Sequence, residues 1–112
     1  MDIPTLLIKF FSELVGTFIF IILILIITNK NTEAVNVAIP IGLALAIAIV
    51  IFGDVSGGHF NPAVSFTMFI RDPKIFTGIM FLIYITAQAI GAFTALEINN
   101  YIIKSNYFKK NQ

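Results

Sequence analysis

The sequence holds no cysteine, one histidine and few charges. Without cysteine there are no disulfides and no thiolate metal sites. One histidine without clustered partners excludes a structural zinc site, and no metal or cofactor is expected. Charged residues make up 12% of the 112 residues and the net charge is +1. No basic stripe runs along the chain, so nucleic acid is not an expected partner. Nothing acidic, basic or nucleophilic gathers around His59, so a soluble enzyme built on it is the least favoured reading and no enzymatic step is expected. Nor does the first segment carry a signal peptide. Asp2 sits where a positive n-region belongs, the apolar stretch is longer than an h-region, and no small-residue cleavage site follows. It reads as a retained transmembrane helix. No internal repeat is visible.

What the chain does have is apolar side chain, at 58% of residues. A soluble domain carries roughly 45–50%, with about 25% charged. A fold this small cannot hide the excess, so the sequence reads as an all-α membrane protein in one domain, 1–112. A transmembrane helix needs about 20 apolar residues, and three segments are long enough: about residues 6–27, 34–52 and 75–96. The linker "TNKNTE" separates the first two. The first carries Lys9 and Glu13, the second Asn36 and Pro40, and the third Gln88, with Glu97 at its end.

Between the second and third lies "SGGHFNPAVSF", residues 56–66. The Gly/Ser-rich run that starts at Gly53 predicts a helix break. Asn61-Pro62 then reads as N-cap plus first position of a new helix, which runs to residue 70 before "RDPK". That helix spans on the order of 12 Å. It is too short to cross a bilayer and too apolar to lie in water. A re-entrant loop and half-helix over about residues 53–70 fits. Non-helical backbone at membrane depth is tolerated only against protein or a water-filled cavity. Gly57 and Gly58 leave their carbonyls uncovered, so an extended run there offers acceptors to a passing solute. The Asn61 oxygen can cap the half-helix while its NH₂ donates into a lumen. The positive helix end at the same place disfavours cations, protons included.

This motif resembles the first signature loop of the major intrinsic protein family, the aquaporins and aquaglyceroporins. "SELVGTF", residues 12–18, resembles that family's first helix, with Glu13 at its buried glutamate position. "IGLALAIAI", residues 41–49, resembles the second and "AQAIGA", residues 87–92, the third. The resemblance implies three transmembrane helices plus one re-entrant half-helix, half of an aquaporin-like bundle. It implies backbone carbonyls of Gly57, Gly58, His59 and Phe60 lining a pore, with the motif Asn61, Pro62, Ala63 supplying the central donor. Ile41 falls at a position of the family's outer filter, where an aliphatic side chain in place of a ring implies a different filter. Glu13 and Gln88 read as braces for the loop, and the His59 side chain as a brace beside its functional carbonyl. Asp54 is expected to cap a turn or bond a backbone N–H. Gly16, Gly42 and Gly91 are expected to allow close helix crossings.

Only the family's first half is matched. The second Asn-Pro-Ala, the arginine after it and the fifth-helix filter residue are absent, and Val64 follows Ala63. The expected function is passive transport of water or a small polyol such as glycerol through an integral, multi-pass protein of the lipid bilayer. It needs a second half-channel polypeptide, or a homo-oligomer of oppositely inserted copies. Lys9, Arg71 and Lys74 on one side against Lys30, Lys104, Lys109 and Lys110 on the other is a near-balanced count that permits dual topology. The competing reading is a non-conducting truncated protein or an interaction subunit of the membrane.

Overall fold

A computed structural model describes residues 1–30 and 33–110. Part of the "TNKNTE" linker, residues 31 and 32, lies outside the described residues. Among the described residues four helices follow in order: α1 (Ile3–Lys30), α2 (Ala34–Ser56), α3 (Pro62–Arg71) and α4 (Gly78–Lys110). Among the described residues there is no strand.

The helices begin where side chains satisfy free N–H groups. Asp2 Oδ1 accepts from the Thr5 N–H at 3.2 Å at the start of α1. Thr77 caps α4, its hydroxyl accepting from the Met80 N–H at 3.4 Å. Asn61 caps α3, with Pro62 at the first position. Helix α2 does not break at Gly53, as the glycine-rich run predicts. One glycine in an apolar stretch weakens a helix by about 1 kcal/mol without ending it. The end comes at Gly57, whose φ of 91° is left-handed and whose N–H closes onto the Gly53 carbonyl at 2.8 Å. Helix α4 starts later than the apolar pattern predicts, because residues 72–76 form a turn in which the Asp72 carbonyl accepts from the N–H groups of Ile75 and Phe76. It continues past residue 96 as a helix, because polar residues beyond the hydrocarbon do not interrupt the backbone ladder.

α1, α2 and α4 are each long and apolar enough to cross a membrane, and the chain is an integral, multi-pass membrane protein. α3, with ten residues, rises only about 15 Å. The bundle is 57 Å long, so its ends pass beyond a bilayer of about 40–45 Å with headgroups.

α1 is the central element, packed against α2 on one side and α4 on the other, while α3 packs against α4. Paired bonds fix the directions. Glu13 meets Gln88 and Asn29 meets Asn99, so α1 and α4 run parallel. Ser65 meets Gln88 and Phe69 stacks on Phe81 at 5.6 Å, so α3 runs back along α4.

Small residues line much of the contact between α1 and its neighbours: Gly16 on α1, Ala44 and Ala48 on α2, Ala87, Gly91 and Ala95 on α4, while Met80 and Tyr84 of α4 pack with Phe76 in a separate apolar cluster. In a membrane there is no hydrophobic drive between helices, and small residues let backbones approach for dispersion contact. At Gly91 an added Cβ would overlap the Leu14 carbonyl oxygen and lie 3.1 Å from the Phe18 nitrogen. Gly42 differs from the expectation of a crossing. Nothing lies within 4 Å of the Cβ it lacks, because it faces away from α1. The large apolar side chains, among them Val35, Ile39, Ile47 and Val50, point outward, as they must where lipid is the solvent.

Candidate functional site

The site is built on Glu13, which is fully buried ten residues into α1. An ionisable group at this depth is expensive and must be satisfied. Four donors satisfy it. Its Oε1 accepts from the Ser56 hydroxyl at 2.7 Å and the His59 N–H at 2.9 Å. Its Oε2 accepts from the Phe60 N–H at 2.8 Å and the Gln88 amide at 2.9 Å. A carboxylate offers about four lone-pair sites, and all four are used. One side chain of α1 thus holds the end of α2, two backbone groups of the loop and α4.

A second layer fixes the first. Ser56 Oγ also accepts from the Gly58 N–H at 3.2 Å. Gln88 Nε2 donates to Ser65 Oγ at 2.9 Å, and His59 Nδ1 lies 3.0 Å from that same oxygen. Tyr84 donates its hydroxyl to the Ser56 carbonyl at 2.6 Å. The His59 ring sits against Phe76 and Tyr84, with ring centres 5.0 and 5.1 Å away. Gln88 Oε1 and the Thr17 hydroxyl are buried without a hydrogen-bond partner among the described residues.

Tyr84 is fully buried, so removing its hydroxyl strands the Ser56 carbonyl. Tyr84→Phe is expected to cost about 1–2 kcal/mol. Unfolding in mixed detergent micelles checks this, and an unchanged midpoint would show the bond to be inert.

The loop backbone differs from the extended run expected at Gly57 and Gly58. Both are left-handed, with φ of 91° and 62°. Phe60 is left-handed too, at φ 46°, where a residue with a Cβ is strained by about 1–3 kcal/mol. Two contacts hold it there. Its N–H is bound by Glu13, and its ring occupies the space left by Gly16. A Cβ on Gly16 would lie 2.6 Å from Phe60 Cζ. No hydrogen bond among the described residues uses the carbonyls of Gly57, Gly58, His59 or Phe60.

Asn61 follows at the N-terminus of α3. Its Oδ1 accepts from the Ala63 N–H at 2.8 Å. Its Nδ2 has no partner among the described residues, and Asn61, Pro62, Ala63 and Val64 are all exposed. Residues 57–63, Glu13 and Gln88 therefore come together. Ile41 does not join them: half-buried on α2, it lies sixteen residues before Gly57, about 24 Å along the axis. Asp54, expected to cap a turn or bond a backbone N–H, makes no hydrogen bond among the described residues, and its side chain is exposed.

Ser65 and Tyr84 are not evident from the motif alone. Helical spacing finds Tyr84, which lies four residues before Gln88 on the same face of α4. Ser65 is buried while the nearby Asn61 is exposed, and only its contacts with Gln88 and His59 mark it.

A relative of stated kind shares part of this sequence. A 41-residue stretch is 54% identical to an aquaglyceroporin of Toxoplasma gondii (strain ATCC 50611 / Me49), covering 37% of this chain and 15% of that protein. No solved structure matches the chain. The family described as Major intrinsic protein matches residues 2–112. With its Asn-Pro-Ala loop seated on a buried glutamate and that match running almost end to end, the chain belongs to the major intrinsic protein family.

Proposed function

We propose that these 112 residues form one half of a channel for passive flow of water or a small neutral solute such as glycerol. The observation that carries this reading is Asn61. Its oxygen is committed to the α3 cap, which leaves its NH₂ as a fixed donor on the open side of the half-helix. The unused carbonyls of Gly57, Gly58, His59 and Phe60 precede it as acceptors. A hydroxyl-bearing solute needs both, and neither step involves bond making. The positive end of α3 faces the same place and repels cations. Family membership supports the reading.

The half-helix is uncovered along Asn61–Val64, so one wall of the pore must come from elsewhere. That wall is a second half-channel, carried by further sequence of the same polypeptide, by another polypeptide, or by a second copy of this chain. Ile41 lies toward the opposite end of α2 from the loop, and we assign it to the outer filter.

The test is osmotic shrinkage of proteoliposomes holding the chain alone and with a second half. Shrinkage faster than in empty vesicles is expected once the second wall is present. Asn61→Asp replaces the donor with an acceptor and puts a negative charge at the constriction, and is expected to slow shrinkage severalfold. Vesicles that shrink no faster than empty ones in both arrangements would overturn the channel reading and favour a non-conducting interaction subunit.

A further inference from the structure

A second polar feature adjoins the braced loop, and Ser56, Gly57, His59 and Tyr84 form part of its wall. α1 and α4 are parallel, α3 runs back along α4, and α2 closes onto the loop beside Glu13. The starts of α1 and α4 and the ends of α2 and α3 therefore share one end of the bundle. Between them is a cavity of about 480 Å³, within the roughly 300–1,000 Å³ of small-molecule sites.

Its rim carries Lys9 from α1, Arg71 from α3 and Asp54 from α2. Among the described residues, none of these three side chains takes part in an ion pair or hydrogen bond. Asp72, also on the rim, is different. Its Oδ1 already accepts from the N–H groups of Lys74 and Ile75. Two cations and two carboxylates therefore face the same space, and of the carboxylates Asp54 is the one with no hydrogen bond to the backbone among the described residues. The rest of the wall mixes apolar Met68, Phe76 and Met80 with Ser56, His59 and Tyr84. On the outside that wall continues into Ile75 and Ile79, which are 77% and 69% exposed.

A ligand for this lining has an anionic group for Lys9 and Arg71, a hydrogen-bonding ammonium for Asp54, and an apolar body that leaves along α4. Arginine and lysine bind phosphate, arginine through two parallel N–H bonds. Basic pockets between transmembrane helices take lipid headgroups in this way. We propose that the cavity holds the phosphoethanolamine headgroup of a phospholipid, with phosphate on Lys9 and Arg71 and ammonium on Asp54. The acyl chains run along Ile75 and Ile79. The cavity borders Gly57 and His59 of the loop, and binding alone reads the site out.

The experiment uses the full chain in detergent. Bound lipid is counted by native mass spectrometry, and the thermal midpoint is followed for phosphatidylethanolamine, phosphatidylcholine and phosphatidylglycerol of identical acyl chains and for soluble phosphoethanolamine. Phosphatidylethanolamine is expected to bind about tenfold tighter than phosphatidylcholine, whose quaternary ammonium has no N–H for Asp54. Asp54→Asn is expected to erase that preference while phosphate binding persists. Lys9→Gln with Arg71→Gln is expected to abolish binding of both lipids, and helical content by circular dichroism shows that this variant folds. A Lys9→Arg control is expected to retain binding. Equal binding of the three lipids, or binding that survives the double substitution, would overturn the site. Soluble phosphoethanolamine binding as tightly as the phospholipid would overturn the assignment to lipid.

Discussion

Glu13→Gln is expected to lower stability by about 3 kcal/mol, as read from unfolding in mixed micelles. The amide keeps one acceptor oxygen and turns the other into a donor. Whichever way it rotates, its NH₂ points at two existing donors. Those are the Ser56 hydroxyl and His59 N–H, or the Phe60 N–H and Gln88 amide. A hydrogen bond to a charged group contributes about 1.5–3 kcal/mol, so two lost bonds remove about 3–6 kcal/mol. Removing a buried charge returns part of that, because its desolvation penalty disappears. The backbone N–H groups at residues 59 and 60 are both held by this carboxylate, so the loss falls on the loop. Glu13→Asp separates charge from reach. It keeps the carboxylate on a stem one methylene shorter, and is expected to lose the loop contacts as well. A midpoint within about 0.5 kcal/mol of the parent for Glu13→Gln would show that the carboxylate does not hold the loop, since that is the range of surface substitutions.

Gly91→Leu is expected to part α1 from α4, at about 3 kcal/mol, the upper end of the usual cost of overpacking. The obstacle is rigid. Even a Cβ overlaps the Leu14 carbonyl and crowds the Phe18 nitrogen, both parts of a helix backbone that cannot rotate aside. α4 must withdraw or tilt. Gln88 lies one turn earlier on the same face and withdraws with it, which opens the bond to Glu13. Gly42→Leu is the matched control. Its Cβ has nothing within 4 Å, and the substitution is expected to change stability by no more than about 0.5 kcal/mol. Equal effects at the two glycines would mean that helix propensity, not the α1–α4 contact, decides the outcome.

Part of this architecture is legible in the sequence for a physical reason. An ionisable or amide side chain inside an apolar run cannot be left unpaired, so Glu13 and Gln88 announce a polar partner by their positions alone. Asn61-Pro62 is equally explicit, because a cap followed by proline fixes where a helix starts. The half-helix follows from its length. Other features leave no local trace. A left-handed Phe60 is not signalled by its own identity; it depends on the space at Gly16, forty-four residues earlier. Gly53 and Gly57 look alike in sequence, yet only the second ends α2, and the difference lies in the hydrogen bonds waiting beyond it. Gly42 and Gly91 are equally apt for a crossing by composition, and tertiary direction separates them. Tyr84 and Ser65 are ordinary helix residues until the loop is laid against them.

The small-residue faces have a consequence for where this bundle is stiff. Glycine and alanine have no side-chain rotamers to lose. Bringing Gly16, Ala44, Ala48, Ala87, Gly91 and Ala95 together therefore carries no side-chain entropy penalty. The large apolar side chains on the outside keep their rotational freedom in fluid lipid. Ordering is concentrated in a few long polar groups, chiefly Glu13, Gln88, His59 and Tyr84, and each of them is tied to the loop or to its immediate supports. The side-chain entropy that folding removes is thus concentrated at the polar turn and its supports, together with the buried Phe60, Phe76 and Met80.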